Sequence, residues 1–324
     1  LKSLIFFCIF SYSKPGIKYL FYSMYEMGKS PGRANWLTPG TTVNLSFIFP
    51  DKQNDEQVKA VLTALWWLEN FGGIGARSRR GAGSFQVTKI STVGGIKGIP
   101  IPQFMCQNWS PGKNSGERKN EINRFLEQGI KISCPYVEDE QSIPAYSAYR
   151  NGVSNYKIAT GFSNWTEAAN DIGTKLADFR KNAPFDNEAA ALHRFAVSGT
   201  YPEEEPNPLT KSAFGLPIIY RFRNRNPNNR DPRTGKMKYM IDESVISSGT
   251  KKSRRGSPLF IKIGKYPGEN RYYVAALSLW SEFFPAGEKI QLKVRGGRHE
   301  SSIELKQPPK NAIDNFLNTQ FELK

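Results

Sequence analysis

The feature that most constrains this chain is the passage Phe71-Gly72-Gly73-Ile74-Gly75-Ala76-Arg77-Ser78-Arg79-Arg80-Gly81-Ala82-Gly83-Ser84-Phe85. Gly72, Gly73, Gly75, Gly81 and Gly83 surround Arg77, Arg79 and Arg80. Such a backbone can approach a ligand closely, while exposed amides and guanidinium forks suit phosphate oxygens. Before the loop, Val58, Val61, Leu62, Leu65 and Leu68 keep helical spacing, and Trp66 and Trp67 extend that face. Asn54 and Gln57 fit a capping box for this helix, and Gly72 is expected to be its left-handed stop. After the loop, Phe85, Val87 and Ile90 predict a strand over Ser84 to Thr92. The order helix, loop, strand is the reverse of that in phosphate-binding and dinucleotide motifs, and the Lys-Ser/Thr pair that holds nucleotide and magnesium is absent. Taken by itself, the passage is compatible with either an anion-binding loop or a solvated turn.

Upstream, the apolar run Leu4 to Phe10 reads as a buried strand, because no small-residue cleavage motif follows it. Ile17 to Met24 and Thr42 to Phe49 read as strands, the second after a Pro39-Gly40 turn. Gly94-Gly95 and Gly98 to Pro102 form the clearest linker, so two domains are expected, residues 1–98 and 99–324. The second opens with a polar surface loop, Ser110 to Lys119. Helices follow over Trp165 to Phe179 and Asn187 to Val197, and then the acidic, proline-rich stretch Tyr201 to Pro208. Gly215 to Phe222, Ser257 to Ile263 and Arg271 to Trp280 read as strands, with a long exposed loop between the first two, and Pro309 to Phe321 as a closing helix. The class is α+β.

Lysine and arginine number 45 against 29 acidic residues, a net charge of +16, so a polyanion is the first partner to consider. Twelve of those basic residues fall between Lys211 and Arg255, against three carboxylates, with Tyr220, Phe222 and Tyr239 interleaved. That mixture suits phosphate neutralisation beside base stacking. Three widely spaced cysteines and two histidines exclude a disulfide framework and a multi-histidine metal site. Glu203-Glu204-Glu205 reads as a solvated loop, and Asp171 and Asp178 are too loosely placed for a metal cage. No cofactor, small-molecule substrate or membrane partner is expected, and a cytoplasmic setting fits the cysteine usage.

The Gly72 to Phe85 loop behind an apolar helix, with the later pair Phe214-Gly215-Leu216-Pro217-Ile218 and Arg254-Arg255-Gly256-Ser257-Pro258-Leu259, resembles the RAMP superfamily, in particular Cmr-type subunits of type III-B CRISPR effectors. The resemblance implies two ferredoxin-like, RRM-related domains, the second with helical insertions. It also implies a non-catalytic subunit in antiviral defence that helps hold CRISPR guide RNA and single-stranded target RNA beside other Cmr subunits. The family's glycine loop maps onto Gly72, Gly73, Gly75, Arg77, Arg79, Arg80, Gly81 and Gly83, and Lys251, Lys252, Arg254 and Arg255 would extend the RNA track. Family members open with a strand, a glycine-containing turn and a helix rich in tryptophan and arginine. Nothing in the first forty or so residues reads as these, so the first domain is expected to be incomplete. The competing reading is a metal-independent RAMP endoribonuclease processing CRISPR RNA, with His193, expected to be partly buried on a helix, or the exposed His299 as general base.

Overall fold

The computed structural model of the chain describes residues 2–7, 14–28, 39–49, 55–91, 102–105, 109, 114–133, 147–150, 152–181, 185–198, 200–201, 209–215, 218–223, 233, 239–248, 256–279, 281–282, 289–295, 302–305, 308 and 311–321. Strand β1 (Lys2–Phe7) is followed by helix α1 (Pro15–Gly28), strand β2 (Thr42–Leu45), helix α2 (Asp55–Phe71) and strand β3 (Ser84–Lys89). β1 lies in the middle of an antiparallel sheet of order β2-β1-β3. Two expectations are corrected here. Residues 17–24 are helical: Pro15 supplies a preset φ at the first turn, and Ile17, Leu20 and Phe21 gather on one buried face. The first forty residues do supply an opening strand and helix, although α1 contains neither tryptophan nor arginine.

Helix α3 (Ser115–Ser133) starts inside the polar stretch expected to be a surface loop. Its start is a reciprocal capping box. Glu117 N–H donates to Asn114 Oδ1 at 2.9 Å, and Asn114 N–H donates to Glu117 Oε2 at 3.0 Å. Strand β4 (Asn155–Phe162), helix α4 (Trp165–Lys181) and helix α5 (Phe185–Ser198) follow. α4 is capped by Asn164 Oδ1, which accepts from Glu167 N–H at 2.8 Å. Hydrogen bonds from the Ser163 hydroxyl and amide hold the Glu167 carboxyl below its ordinary pKa.

After a 3-10 turn, Thr210–Phe214, come β5 (Ile218–Arg223), β6 (Tyr239–Ser248), β7 (Leu259–Lys265), β8 (Tyr272–Ser278), β9 (Lys289–Arg295), β10 (Ser302–Leu305) and α6 (Asn311–Gln320). The segment between β5 and β7, expected as one long loop, therefore contains a ten-residue strand, β6, which pairs with both β5 and β9. The strands of this part form two antiparallel sheets, of order β10-β9-β6-β5 and β4-β8-β7.

The β4-β8-β7 sheet is the structural centre. Every residue of β8 is buried, because helices cover both of its faces. On one side Leu259, Ile261, Ile263, Val274 and Ala276 pack with α4, α6 and the buried face of α1. On the other, Ile158, Tyr273, Ala275 and Leu277 meet Trp66 of α2, Phe85 of β3 and Leu126 of α3. Both cores thus draw residues from either side of position 98.

Two glycines permit the closest helix contacts. A Cβ on Gly129 of α3 would stand 2.0 Å from the Trp66 ring, and one on Gly173 of α4 would stand 2.1 Å from the Gly16 carbonyl oxygen. Gly16 N–H also donates to Asn170 Oδ1 at 3.1 Å, fixing α1 against α4. None of the helices among the described residues is long and apolar enough to cross a membrane.

Candidate nucleic-acid interface

The glycine loop is closed at its base by the Ile74 N–H, which donates to the Gly83 carbonyl at 3.0 Å. Gly72 is not its left-handed residue. Its N–H still donates to the Leu68 carbonyl at 3.1 Å and so continues the helix, while positive φ values come later, at Gly75, Arg77, Gly81 and Gly83. Gly83 is compelled twice over, by a φ of 64° and because a Cβ would meet the Ile74 carbonyl oxygen at 1.8 Å. Inside the loop, the Arg77 carbonyl accepts from Arg80 N–H at 2.8 Å and from Ala82 N–H at 3.3 Å. Ile74, Gly75 and Ala76 form the exposed tip, with Arg77 half-buried behind them.

The three arginines do not share one role. Arg79 turns inward, donating from Nη1 to the Ser257 carbonyl at 2.8 Å and lying 4.8 Å from the Phe260 ring centroid. Burial lowers its guanidinium pKa from the ordinary value. Gly256 leaves the room this needs, since a Cβ there would stand 2.2 Å from Arg79 Nη1. Arg80 Nη2 donates to the Phe214 carbonyl at 3.2 Å, and Gly215 beyond it takes φ 108°. The 3-10 turn that presents Phe214 is capped by the buried Glu188 carboxylate, which accepts from Thr210 N–H and, at 3.3 Å, from Lys211 N–H. Burial raises the pKa of that carboxyl. The glycine loop, Phe214-Gly215 and Gly256-Ser257, far apart in the chain, thus converge at one place.

From there a polar seam runs along β7. Ile261 N–H donates to the Arg79 carbonyl at 3.0 Å, and Arg80 forms a parallel bridge with Ile261. Ile263 N–H donates to Ser84 Oγ at 3.2 Å, Lys262 Nζ to the Phe85 carbonyl at 2.6 Å, and Gln86 Nε2 to the Lys265 carbonyl at 2.7 Å. Lys262 is fully buried, and burial pulls its ammonium down to about 7 against the opposing field of Glu69. Glu69 Oε1 accepts from Val87 N–H at 2.7 Å. Sequence reading missed this seam. A lysine alternating with Ile261 and Ile263 was the available signal, because it puts an ammonium on the second core face of a strand buried on both sides.

Lys251, Lys252, Arg254 and Arg255 lie outside the described residues, as do His299, Trp280 and Glu203-Glu204-Glu205. The strand assignments of Tyr220, Phe222 and Tyr239 are described, but their side chains are not. His193 is exposed on α5, where partial burial was expected. Trp109 is half-buried, with its ring 5.0 Å from Tyr266 and the buried Arg118 guanidinium 5.2 Å away. Asp171 pairs with Lys175 at 2.8 Å and Asp178 with Lys181 at 3.8 Å. Among the described residues no group of three histidine, cysteine or acidic side chains is placed to hold a metal ion.

The model of the RAMP superfamily matches residues 10–86, a span that takes in α1, α2 and the whole glycine loop. A search of curated proteins gives no match. Among solved structures, the chain is similar to a chain of the type III-B Cmr-beta complex bound to cognate target RNA and AMPPnP in the presence of single-stranded DNA. The identity is 16% and the TM-score 0.40, with 83% of this chain covered. The chain spans about half of that one, 52%. Residues 10–86, with the glycine loop at their end, are thus similar to the RAMP superfamily.

Proposed function

We propose that this protein is a non-catalytic, RNA-binding subunit of a type III-B CRISPR (Cmr) ribonucleoprotein, positioning guide and target RNA beside other Cmr subunits. It would read backbone and shape while base pairing supplies sequence specificity. In this reading the chain holds two ferredoxin-like domains divided near residue 98. The order β1-α1-β2-α2-β3, with β1 central and antiparallel to both neighbours, supports that arrangement for the first.

The observation that carries the reading is the convergence of the glycine loop with Phe214-Gly215 and Gly256-Ser257 through Arg79 and Arg80. These two arginines position the loop. In this reading the exposed Ile74 to Ala76 tip and Arg77 meet phosphates, and the Lys251 to Arg255 cluster extends the track. The family match to the segment holding the loop is further support.

The test is titration of labelled single-stranded RNA across a salt series with wild type, Arg77→Ala, and Arg79→Ala combined with Arg80→Ala. Removing one phosphate contact should lower the slope of log affinity against log salt by about 0.7 in Arg77→Ala. The double variant should weaken binding only together with a loss of stability. An unchanged slope and affinity in Arg77→Ala would remove the loop from the RNA surface.

A further inference from the structure

The β4-β8-β7 sheet has a second edge, at β4, and among the described residues no strand pairs with its outer side. Against that edge lies a cleft of about 730 Å³, a volume in the range of small-ligand sites. Helix α3 forms one wall. Ser115 Oγ and Thr160 Oγ1 stand 2.9 Å apart, tying the start of α3 to the far end of β4, so the helix runs back along the strand. Its successive turns bring Lys119 and then Asn123 past Tyr156, while Lys157, the next residue of the strand, reaches the cleft from the opposite face of the sheet. All four line the cleft, and every second residue of an edge strand turns its N–H and C=O outward, offering a donor and an acceptor side by side.

Two further properties define what fits. Tyr149 and Tyr156 line the cleft as half-buried rings, each backed by an aromatic of α2, with centroids 5.0 Å from Trp67 and 5.8 Å from Phe71. Rings held in this way are platforms for a flat partner. Among the described residues, neither Lys119 nor Lys157 has a carboxylate within ion-pair distance. Glu127 lies two helical turns beyond Lys119 and acts on Tyr156, so the aromatic end of the cleft repels an anion while the lysine end attracts one.

We infer that this cleft binds one nucleotide, its base against Tyr149 and Tyr156 and its phosphate between Lys119 and Lys157. The inference is independent of the role assigned to the glycine loop. The same chemistry is offered by a free nucleoside monophosphate and by the phosphorylated terminal nucleotide of an RNA strand.

The test is calorimetric titration of the full chain with AMP, CMP, adenosine and inorganic phosphate, followed by displacement of a fluorescent AMP analogue by a phosphorylated RNA octamer. The displacement is done in the Arg77→Ala background, to reduce binding at the loop. AMP or CMP should bind at least about tenfold more tightly than adenosine or phosphate alone, and Lys119→Ala with Lys157→Ala should weaken that binding about tenfold or more at unchanged thermal stability. Displacement by the octamer at lower concentrations than AMP identifies an RNA end as the ligand, and failure to displace identifies the free nucleotide. If neither nucleotide nor octamer binds, or if the double lysine variant binds as wild type does, the inference is wrong.

Discussion

The two edges of the β4-β8-β7 sheet are treated in opposite ways. At β7 the edge is closed within the chain: the glycine loop bridges to Ile261, the side chains of Ser84 and Gln86 supply hydrogen bonds that a neighbouring strand would otherwise make, and Lys262 donates from β7 to the Phe85 carbonyl of β3. At β4, among the described residues, no strand pairs with the outer side of the edge, where a register shift falls between Ala159 and Phe162, with Gly161 at φ 94°. Open edges are hazards unless something blunts or occupies them. The glycine loop therefore has a structural duty at the β7 edge before it has a binding one. Its backbone is tied to β7, and its tip stands exposed beyond those contacts.

The closed edge is most vulnerable at Gly83. Gly83→Ala puts a side chain at φ 64° and against the Ile74 carbonyl, so it should open the loop and cost about 3 kcal/mol or more, read by chemical denaturation. Next is Lys262→Met, which leaves the Phe85 carbonyl without its donor and should cost about 1–3 kcal/mol. This variant also carries a pH signature. The Lys262 ammonium titrates near 7 in the folded chain and near 10.4 when unfolded, so between those values the unfolded chain holds the extra proton. The Lys262 contribution to stability therefore rises with pH across that window and is lost as pH falls through about 7. Melting temperatures of wild type and Lys262→Met from pH 6 to 9 should converge towards the acid end.

Arg79→Ala should cost less, about 1–2 kcal/mol, for one charge-assisted hydrogen bond and the contact with Phe260. At the open edge, Lys119→Ala and Lys157→Ala should change stability by less than about 0.5 kcal/mol each. A large loss there would show that β4 is as closed as β7.

Sequence reading found the elements whose apolar spacing is strong. α2, α4 and α6 show helical periodicity, and β7 and β8 are short apolar runs bounded by glycine and proline. It misread α1 because isoleucine, tyrosine and phenylalanine favour strands, although Pro15 and the spacing of Ile17, Leu20 and Phe21 carried the helical signal. It passed over α3 because the first turn is polar, although Asn114 and Glu117 spell a capping box and Ile122, Leu126 and Ile130 recur every four residues. At the candidate site the loop was legible, but the division of labour among its arginines was not. Arg79 bonds to a carbonyl 178 residues away and Arg80 to one 134 residues away, and no local pattern encodes partners at that range.

The contact of α1 with α4 at Gly16 and Gly173 has a consequence for dissecting the molecule. A chain cut near residue 98 would give fragments that still share both hydrophobic cores, the seam along β7 and this glycine-mediated helix contact. The pieces would stay together after the cut, and each made by itself would display the apolar surface that the other covers. Limited proteolysis of this protein therefore reports where the backbone can be cleaved and says little about which half can exist without the other.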